Sequence, residues 1–337
     1  MQSTVLSSHQ EPHADTWHYL DSRDEKHEEN YIEWKYFNFT QDDLAGYIIY
    51  YIIDPEKKTK LGNGRLLVRI LKQGKSYGLI KRIDMNEVDL DAVSASMHMG
   101  PARITEKNNY EYEISCQDED FSWNLNYKQS APTIESFQNI NLTSLMRWEK
   151  VNWLIKMPRA KVTGDIQIGK EIFHIDAFGY SDTNWGQMVP FFTKYEWGQY
   201  NDKDFSLVFG VLFGFFSMKS SYFYFVLRGH LVAMEKSKCE IRHLKWSYDS
   251  SIGTKIPSRS SFSAKEGEYE IEFTTHLLYS DDPGMKIHPL LPKVVVSEQI
   301  VEYEGVVKSS GEILHSFKGR GFQEWTTKTW RKLSLTF

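Results

Sequence analysis

Tyr31-Ile32-Glu33-Trp34-Lys35-Tyr36-Phe37, a polar break at Thr40-Gln41-Asp42-Asp43, and Tyr47-Ile48-Ile49-Tyr50-Tyr51-Ile52-Ile53 closed by Asp54-Pro55 decide the fold. β-Branched and aromatic residues in two short runs, separated by turn-forming residues, mark consecutive antiparallel strands. Leu61-Gly62-Asn63-Gly64 supplies the next turn signal and Arg65-Leu66-Leu67-Val68-Arg69-Ile70 the next strand, so the simplest arrangement is a meander.

The same grammar continues outward. Tyr110 to Ile114 and Phe121 to Tyr127 alternate apolar and polar residues with period two, which gives each strand one buried and one wet face. Phe205 to Phe213 and Ser221 to Leu227, on either side of a turn at Lys219, form a hairpin in a second sheet, and strands are expected at Glu268 to Leu278, Val294 to Val301 and Phe317 to Trp325. Helical periodicity is scarce, with one short helix expected near Ile134 to Trp148. The predicted fold class is all-β, as two antiparallel barrels or sandwiches side by side with few short helices.

A chain of 337 residues exceeds one hydrophobic core, which favours two domains of roughly 150 residues. The expected division is a flexible polar segment over 1–28, an N-terminal β domain over 29–187 and a C-terminal β domain over 188–337. A hydrophobic share of 41% against 25% charged residues describes a folded chain, and a net charge of −5 without clustered Lys and Arg leaves no footprint for nucleic acid.

Aromatic residues reach 15%, a content that favours β structure and an apolar ligand. Cys116 and Cys239 are too few for a disulfide framework and suit a reducing compartment; with no apolar leader in the first 30 residues, a cytoplasmic location is expected. Sequons at Asn38 and Asn141 then carry little weight. The longest apolar run, Phe205 to Phe216, falls short of the roughly 20 residues that span a bilayer, so no transmembrane segment is expected.

Nucleophile-elbow, phosphate-loop and zinc-helix signatures are missing, and the 11 His lack metal-ligand spacing, so neither a metal nor another cofactor is expected. Gly62-Asn63-Gly64 lacks the third glycine and the helix of a dinucleotide site. The segment that stands out is Gly179-Tyr180-Ser181-Asp182-Thr183-Asn184-Trp185-Gly186. On an extended chain Tyr180, Asp182 and Asn184 share one face and Ser181, Thr183 and Trp185 the other. An acid among aromatic rings stays protonated near neutrality, as a general acid must, and the rings stabilise a cation formed by protonating a C=C bond. The plainer alternative has Asp182 and Asn184 bonding backbone at a strand end while Trp185 plugs a barrel.

Four stretches resemble the lipocalin-like superfamily that contains AttH-like proteins, carotenoid hydratases (hydroxyneurosporene synthases) and fungal Diels-Alderases. Glu33-Trp34-Lys35-Tyr36-Phe37 is similar to its E-W-W-Y-F opening, and Trp153 with Pro158, Val162 and Gly164 to its W…P…V-x-G strand. Residues 179–186 are similar to G-Y-H-D-H-N-W-G, and Gly319 to Trp325, with Glu324, to its closing strand. The resemblance implies two calycin-type domains, a hydrophobic small-molecule substrate, cofactor-independent chemistry, and a protonating pair at Tyr180 and Asp182. Ser181 and Thr183 replace both motif histidines, Lys35 replaces a tryptophan, and Val151 stands where the hydratases carry a histidine two residues before Trp153, all of which counts against hydration of a carotenoid end.

The expected function is that of a cyclase or isomerase of specialised metabolism acting on a polyene or terpenoid-type molecule, with Asp182 and Tyr180 as the catalytic pair. Glu33, Trp34, Trp153, Asn184, Trp185, Trp197 and Glu324 are expected to line the substrate site; Glu33 and Glu324 are alternatively strand carboxylates paired with a nearby Lys or Arg, and each tryptophan is alternatively core. Rival readings are a hydratase adding water to an isoprenoid C=C, a non-catalytic carrier of an apolar ligand, and a protein that uses the domain pair as an interaction surface.

Overall fold

The computed structural model describes residues 15–21, 31–53, 62–72, 74–119, 121–141, 150–187, 194–213, 219–234, 238–250, 252–281 and 293–329. Two curled antiparallel sheets account for nearly all of them.

The first sheet opens with the expected meander: β1 (Tyr31–Gln41), β2 (Leu44–Ile53), β3 (Asn63–Lys72) and β4 (Lys75–Ile83). Three short strands, β5 (Val88–Leu90), β6 (Met97–Met99) and β7 (Ala102–Asn108), lead into β8 (Glu111–Gln117), β9 (Phe121–Gln129) and β10 (Ile134–Asn141). The long pair β11 (Lys150–Ile168) and β12 (Glu171–Gln187) completes it. Spatial order is β4-β3-β2-β1-β12-β11-β9-β8-β7-β6-β5, with β10 also on β11.

The second sheet repeats this winding. Its strands are β13 (Lys194–Asn201), β14 (Phe205–Phe213), β15 (Lys219–Leu227), β16 (His230–Met234), β17 (Lys238–Asp249), β18 (Thr254–Glu266), β19 (Tyr269–Asp281), β20 (Lys293–Ser309) and β21 (Glu312–Thr329). They lie in the order β16-β15-β14-β13-β21-β20-β19-β18-β17. In both sheets the last strand returns to pair with the first, β12 with β1 and β21 with β13.

Three cores result. One fills the concave side of the first sheet, around Phe37, Phe39, Tyr50 and Tyr127, and one that of the second, around Phe209, Phe262, Phe273 and Tyr303. The third lies between the sheets and joins Tyr36, Tyr47, Tyr51, Trp153 and Tyr180 of the first to Trp197, Tyr224, Ile300 and Phe322 of the second. β2 is apolar throughout because alternate residues face different cores, Ile48, Tyr50 and Ile52 inward and Tyr47, Ile49 and Tyr51 towards the second sheet. Gly179 permits the close approach of β12 to β1, where a Cβ would meet the Asn38 carbonyl oxygen at 2.3 Å.

One expectation is corrected. Ile134–Asn141, placed in a helix from the sequence, is strand β10, paired with β11 through two shifts of register, while 142–149 lies outside the described residues. Ahead of β1, Asp15, Thr16 and Trp17 are buried, with a single helical turn following at His18–Asp21. Asn38, the first sequon, is fully buried, and Cys116 is buried. No helix among the described residues is long and apolar enough to cross a membrane.

Candidate active site between the two sheets

Cross-strand register assembles the site. Asn38 opposes Tyr180, Tyr36 opposes Asp182, and Trp34 opposes Asn184 on β1 and β12, while Trp153 of β11 opposes Asn184 from the other side. Directly opposed residues point to the same side of a sheet, so all of these face the second sheet. There Trp197 of β13 opposes Glu324 of β21, which in turn opposes Glu298 of β20.

Asp182 is the centre. Its carboxyl is buried, and Oδ2 accepts from the Tyr180 hydroxyl at 2.7 Å and from Trp153 Nε1 at 2.8 Å, while Oδ1 accepts from Asn184 Nδ2 at 3.2 Å. Burial pushes its pKa up to about 7, against the opposing pull of the Tyr180 and Trp153 donors and with the help of the nearby Glu324 charge. With two donors on Oδ2, the proton of the neutral acid belongs on Oδ1. Burial, and then Asp182 itself, raise the Tyr180 phenol well above its usual range, so Tyr180 is a fixed donor.

The second sheet contributes a carboxyl pair. Glu298 is buried and receives the Tyr36 hydroxyl at 2.7 Å; Glu324 is half-buried and receives the Tyr195 hydroxyl at 2.7 Å. Burial raises both, and the neighbouring Glu324 raises Glu298 further, so Glu298 holds the proton and bonds its partner. Aromatic rings surround these groups: Trp197 lies 5.4 Å from Tyr180 and 5.6 Å from Tyr36 between centroids, and Trp34 lies 6.0 Å from Tyr51. The Trp153 indole fits because Gly210 of β14 faces it, where a Cβ would lie 3.0 Å from Cζ3.

Seven of the nine residues singled out from the sequence therefore lie on the inter-sheet side: Tyr180, Asp182, Asn184, Trp34, Trp153, Trp197 and Glu324. Glu33 and Trp185 do not. Both lie on the other face of the first sheet, where residues 15–19 cover it. Glu33 accepts the backbone N–H groups of His18 and Tyr19 at 3.0 and 2.9 Å and the Tyr31 hydroxyl at 2.9 Å, and the Trp185 ring stacks on His18 at 3.6 Å. The Trp185 ring thus lies on the face of β12 opposite to Asp182. Beside them Lys35 Nζ bonds Asp15 Oδ1 at 2.7 Å and Thr183 Oγ1 at 3.2 Å inside the first core.

Sequence reasoning missed Glu298 and the part played by Tyr36. The available signal for Glu298 was its phase: it shares parity with Val296 and Ile300 in an apolar strand, which puts a carboxyl on a buried face. Among the described residues no group of three or more His, Cys, Asp or Glu is arranged to hold a metal ion. Chemically, the arrangement can deliver a proton from Asp182, accept one at the Glu298–Glu324 pair, and hold a cationic intermediate against aromatic faces.

No family model and no curated protein matches the sequence. Solved structures do match. A protein assigned as AttH from Nitrosomonas europaea superposes with a TM-score of 0.65 at 15% identity, over 88% of this chain and 92% of that one. Kievitone hydratase from Nectria haematococca superposes with a TM-score of 0.58 at 10% identity, over 89% of each chain. The chain shares their lipocalin-like fold. The fold expected from the motif resemblance is thus the fold observed, and the likeness at these identities is one of fold.

Proposed function

We propose that this chain is a cofactor-independent acid–base enzyme that protonates a carbon–carbon double bond of a hydrophobic unsaturated small molecule, with Asp182 as general acid, and so acts as an isomerase or cyclase. The observation that carries this reading is a buried carboxyl whose pKa lies near 7 while two donors on Oδ2 leave its proton on Oδ1. A group that is protonated near neutrality yet readily ionised has the strength that general-acid catalysis favours. Tyr180 holds and polarises Asp182. Trp153, Trp197, Tyr36 and Trp34 supply aromatic surface that orients the substrate and stabilises positive charge. Glu324, ionised beside a protonated Glu298, takes a proton from the carbon adjacent to the cation and completes an isomerisation or ring closure.

A second reading, hydro-lyase, is favoured by the same carboxyl pair, which is equally suited to deprotonate a water that attacks the cation, and it is in keeping with a kievitone hydratase among the structures that share the fold. The experiment is incubation of the protein in D2O with linear terpenoids such as farnesol, geranylgeraniol and squalene, followed by mass spectrometry. Deuterium is expected on carbon in the product, and Asp182→Asn is expected to abolish it while affinity for the substrate is retained. Unchanged turnover in Asp182→Asn overturns the acid assignment; tight binding with no product in either protein supports a carrier. Label from H218O in the product distinguishes hydration from isomerisation.

A further inference from the structure

Arg65 extends this site by a second polar group of opposite character. It lies on β3 directly across from Tyr51, on the same side as Leu67 and therefore on the face towards the second sheet. Only 8% of it is exposed, and its Nε and Nη2 atoms are buried without a hydrogen-bond partner. Among the described residues no carboxylate pairs with it. Its cross-strand neighbour on β4 is Arg82, a second guanidinium, and burial together with that like charge disfavours the cation. Four residues along the same strand and on the same face, Arg69 is treated differently: Asp281 of the second sheet meets its Nε at 2.7 Å.

A buried guanidinium with open donors costs free energy unless an acceptor meets it, and a planar fork beside a second positive charge suits a planar anion. We propose that Arg65, assisted by Arg82, anchors a carboxylate or an equally acidic enolate at one end of the substrate, so that the ligand of the inter-sheet site is an elongated apolar molecule with an anionic head.

The register fixes the geometry. One row across the first sheet runs Trp153, Asn184, Trp34, Tyr51, Arg65, Arg82, and the adjacent row contains Asp182 and Tyr36. Arg65 and Asp182 are therefore three strands apart and one row offset, about 16 Å between backbone positions at ~4.8 Å per strand and ~3.4 Å per residue. Trp34 and Tyr51 fill the interval. An anionic head at Arg65 would thus place a double bond well down an apolar chain at Oδ1 of Asp182, which explains why one face carries a cationic end and an acidic end separated by aromatic rings. This inference rests on the inter-sheet face being a ligand site, though not on the protonation step.

The test uses cis-parinaric acid, a linear conjugated tetraene carboxylic acid, and its methyl ester, with binding read by fluorescence at neutral pH on the full chain. The wild type is expected to bind the acid at least about tenfold more tightly than the ester, the size of a charge-assisted pair in a buried site. Arg65→Met is expected to lower the affinity for the acid to that of the ester and leave the ester unchanged, with Arg65→Lys intermediate because it keeps the charge and loses the fork. Unaltered ester binding and circular dichroism serve as the check that Arg65→Met is folded. Equal affinity for acid and ester in the wild type, a preference that survives Arg65→Met, or binding of neither ligand overturns the proposal. Asp182→Asn is expected to keep the preference for the acid, so loss of deuterium incorporation and loss of anion preference are separate failures of separate claims.

Discussion

Tyr36 on the first sheet donates its hydroxyl to Glu298 on the second at 2.7 Å, and Tyr36 is also the residue directly across from Asp182. A single phenol thus lies between the acid of one sheet and the carboxyl pair of the other. Its neighbour Asn38 completes the crossing by donating to the Tyr36 oxygen at 3.3 Å and accepting from Gln199 of the second sheet at 3.1 Å.

Glu298→Gln is expected to fold and to retain most stability at pH 7, because burial and Glu324 already keep Glu298 protonated and an amide of the same shape still accepts from Tyr36. Glu298→Ala removes the acceptor and leaves a void, at a cost of about 2–4 kcal/mol. Urea denaturation of the two variants checks the ordering. If the alanine variant is no less stable than the glutamine variant, the phenol–carboxyl bond does not hold the sheets together.

The pH dependence at Asp182 has an unusual sign for a carboxyl. Its pKa is raised on folding, so the neutral form is the one the native state favours, and the associated stability is greatest in acid. A displacement from 3.8 to about 7 corresponds to about 4 kcal/mol, present below pH ~4 and lost as pH climbs through ~7. Asp182→Asn is expected to flatten the fall in denaturation free energy between pH 4 and pH 8, since an amide neither ionises nor leaves Trp153 and Tyr180 without an acceptor. Identical slopes in wild type and variant would mean that Asp182 is ionised throughout.

Period two was enough to sort the eight-residue motif correctly: Tyr180, Asp182 and Asn184 do share a face, opposite Ser181, Thr183 and Trp185. What a strand pattern lacks is the identity of the partner across each face, and hence Glu33 and Trp185 looked equivalent to Trp34 and Asn184. The helix expected after Ile134 has a similar cause. Ile134, Phe137 and Ile140 recur every third residue because β10 shifts register twice, and two inserted residues turn a strand period into one that imitates a helix. Bulges also hid the carboxyl pair. Counted back from the turn after Ser309, Glu298 would oppose Gln323; a one-residue shift between Val307 and Lys308 moves it to Glu324 and brings both carboxyls to one face.

The opposite face of β1 yields a prediction about stability alone. Lys35 and Asp15 form an ion pair whose side chains are 1% and 2% exposed, and the Tyr112 and Thr183 hydroxyls also donate to Asp15. Burial by itself would raise the Asp15 pKa, yet the charges of Lys35 and Lys156 hold it below the usual value, so this contribution is present above pH ~4 and lost on acidification. Lys35→Met leaves a carboxylate buried without its nearest cation and is expected to cost about 3–5 kcal/mol at pH 7; adding Asp15→Asn is expected to return a substantial part of that. Guanidinium melts of the single and double variants decide it, and a double variant no better than Lys35→Met would show that the segment 15–21 is held by Trp17 packing instead.

Trp153 sets the strength of the acid. Its indole N–H is one of the two donors on Asp182 Oδ2, and a donor to a carboxylate stabilises the ionised form, so it holds the Asp182 pKa below what burial alone would impose. Trp153→Phe keeps an aromatic ring beside Gly210 and removes that donor. The alkaline limb of the pH–activity profile is then expected to move upward by about 1 pH unit, with turnover near pH 8 favoured relative to turnover near pH 6. Trp197→Phe is the matched control, because Trp197 packs on Tyr180 and Tyr36 and makes no hydrogen bond to Asp182. It is expected to weaken substrate binding and leave the limb in place. A limb that moves in neither variant, or equally in both, would detach the indole from the acidity of Asp182 and reduce Trp153 to a packing residue.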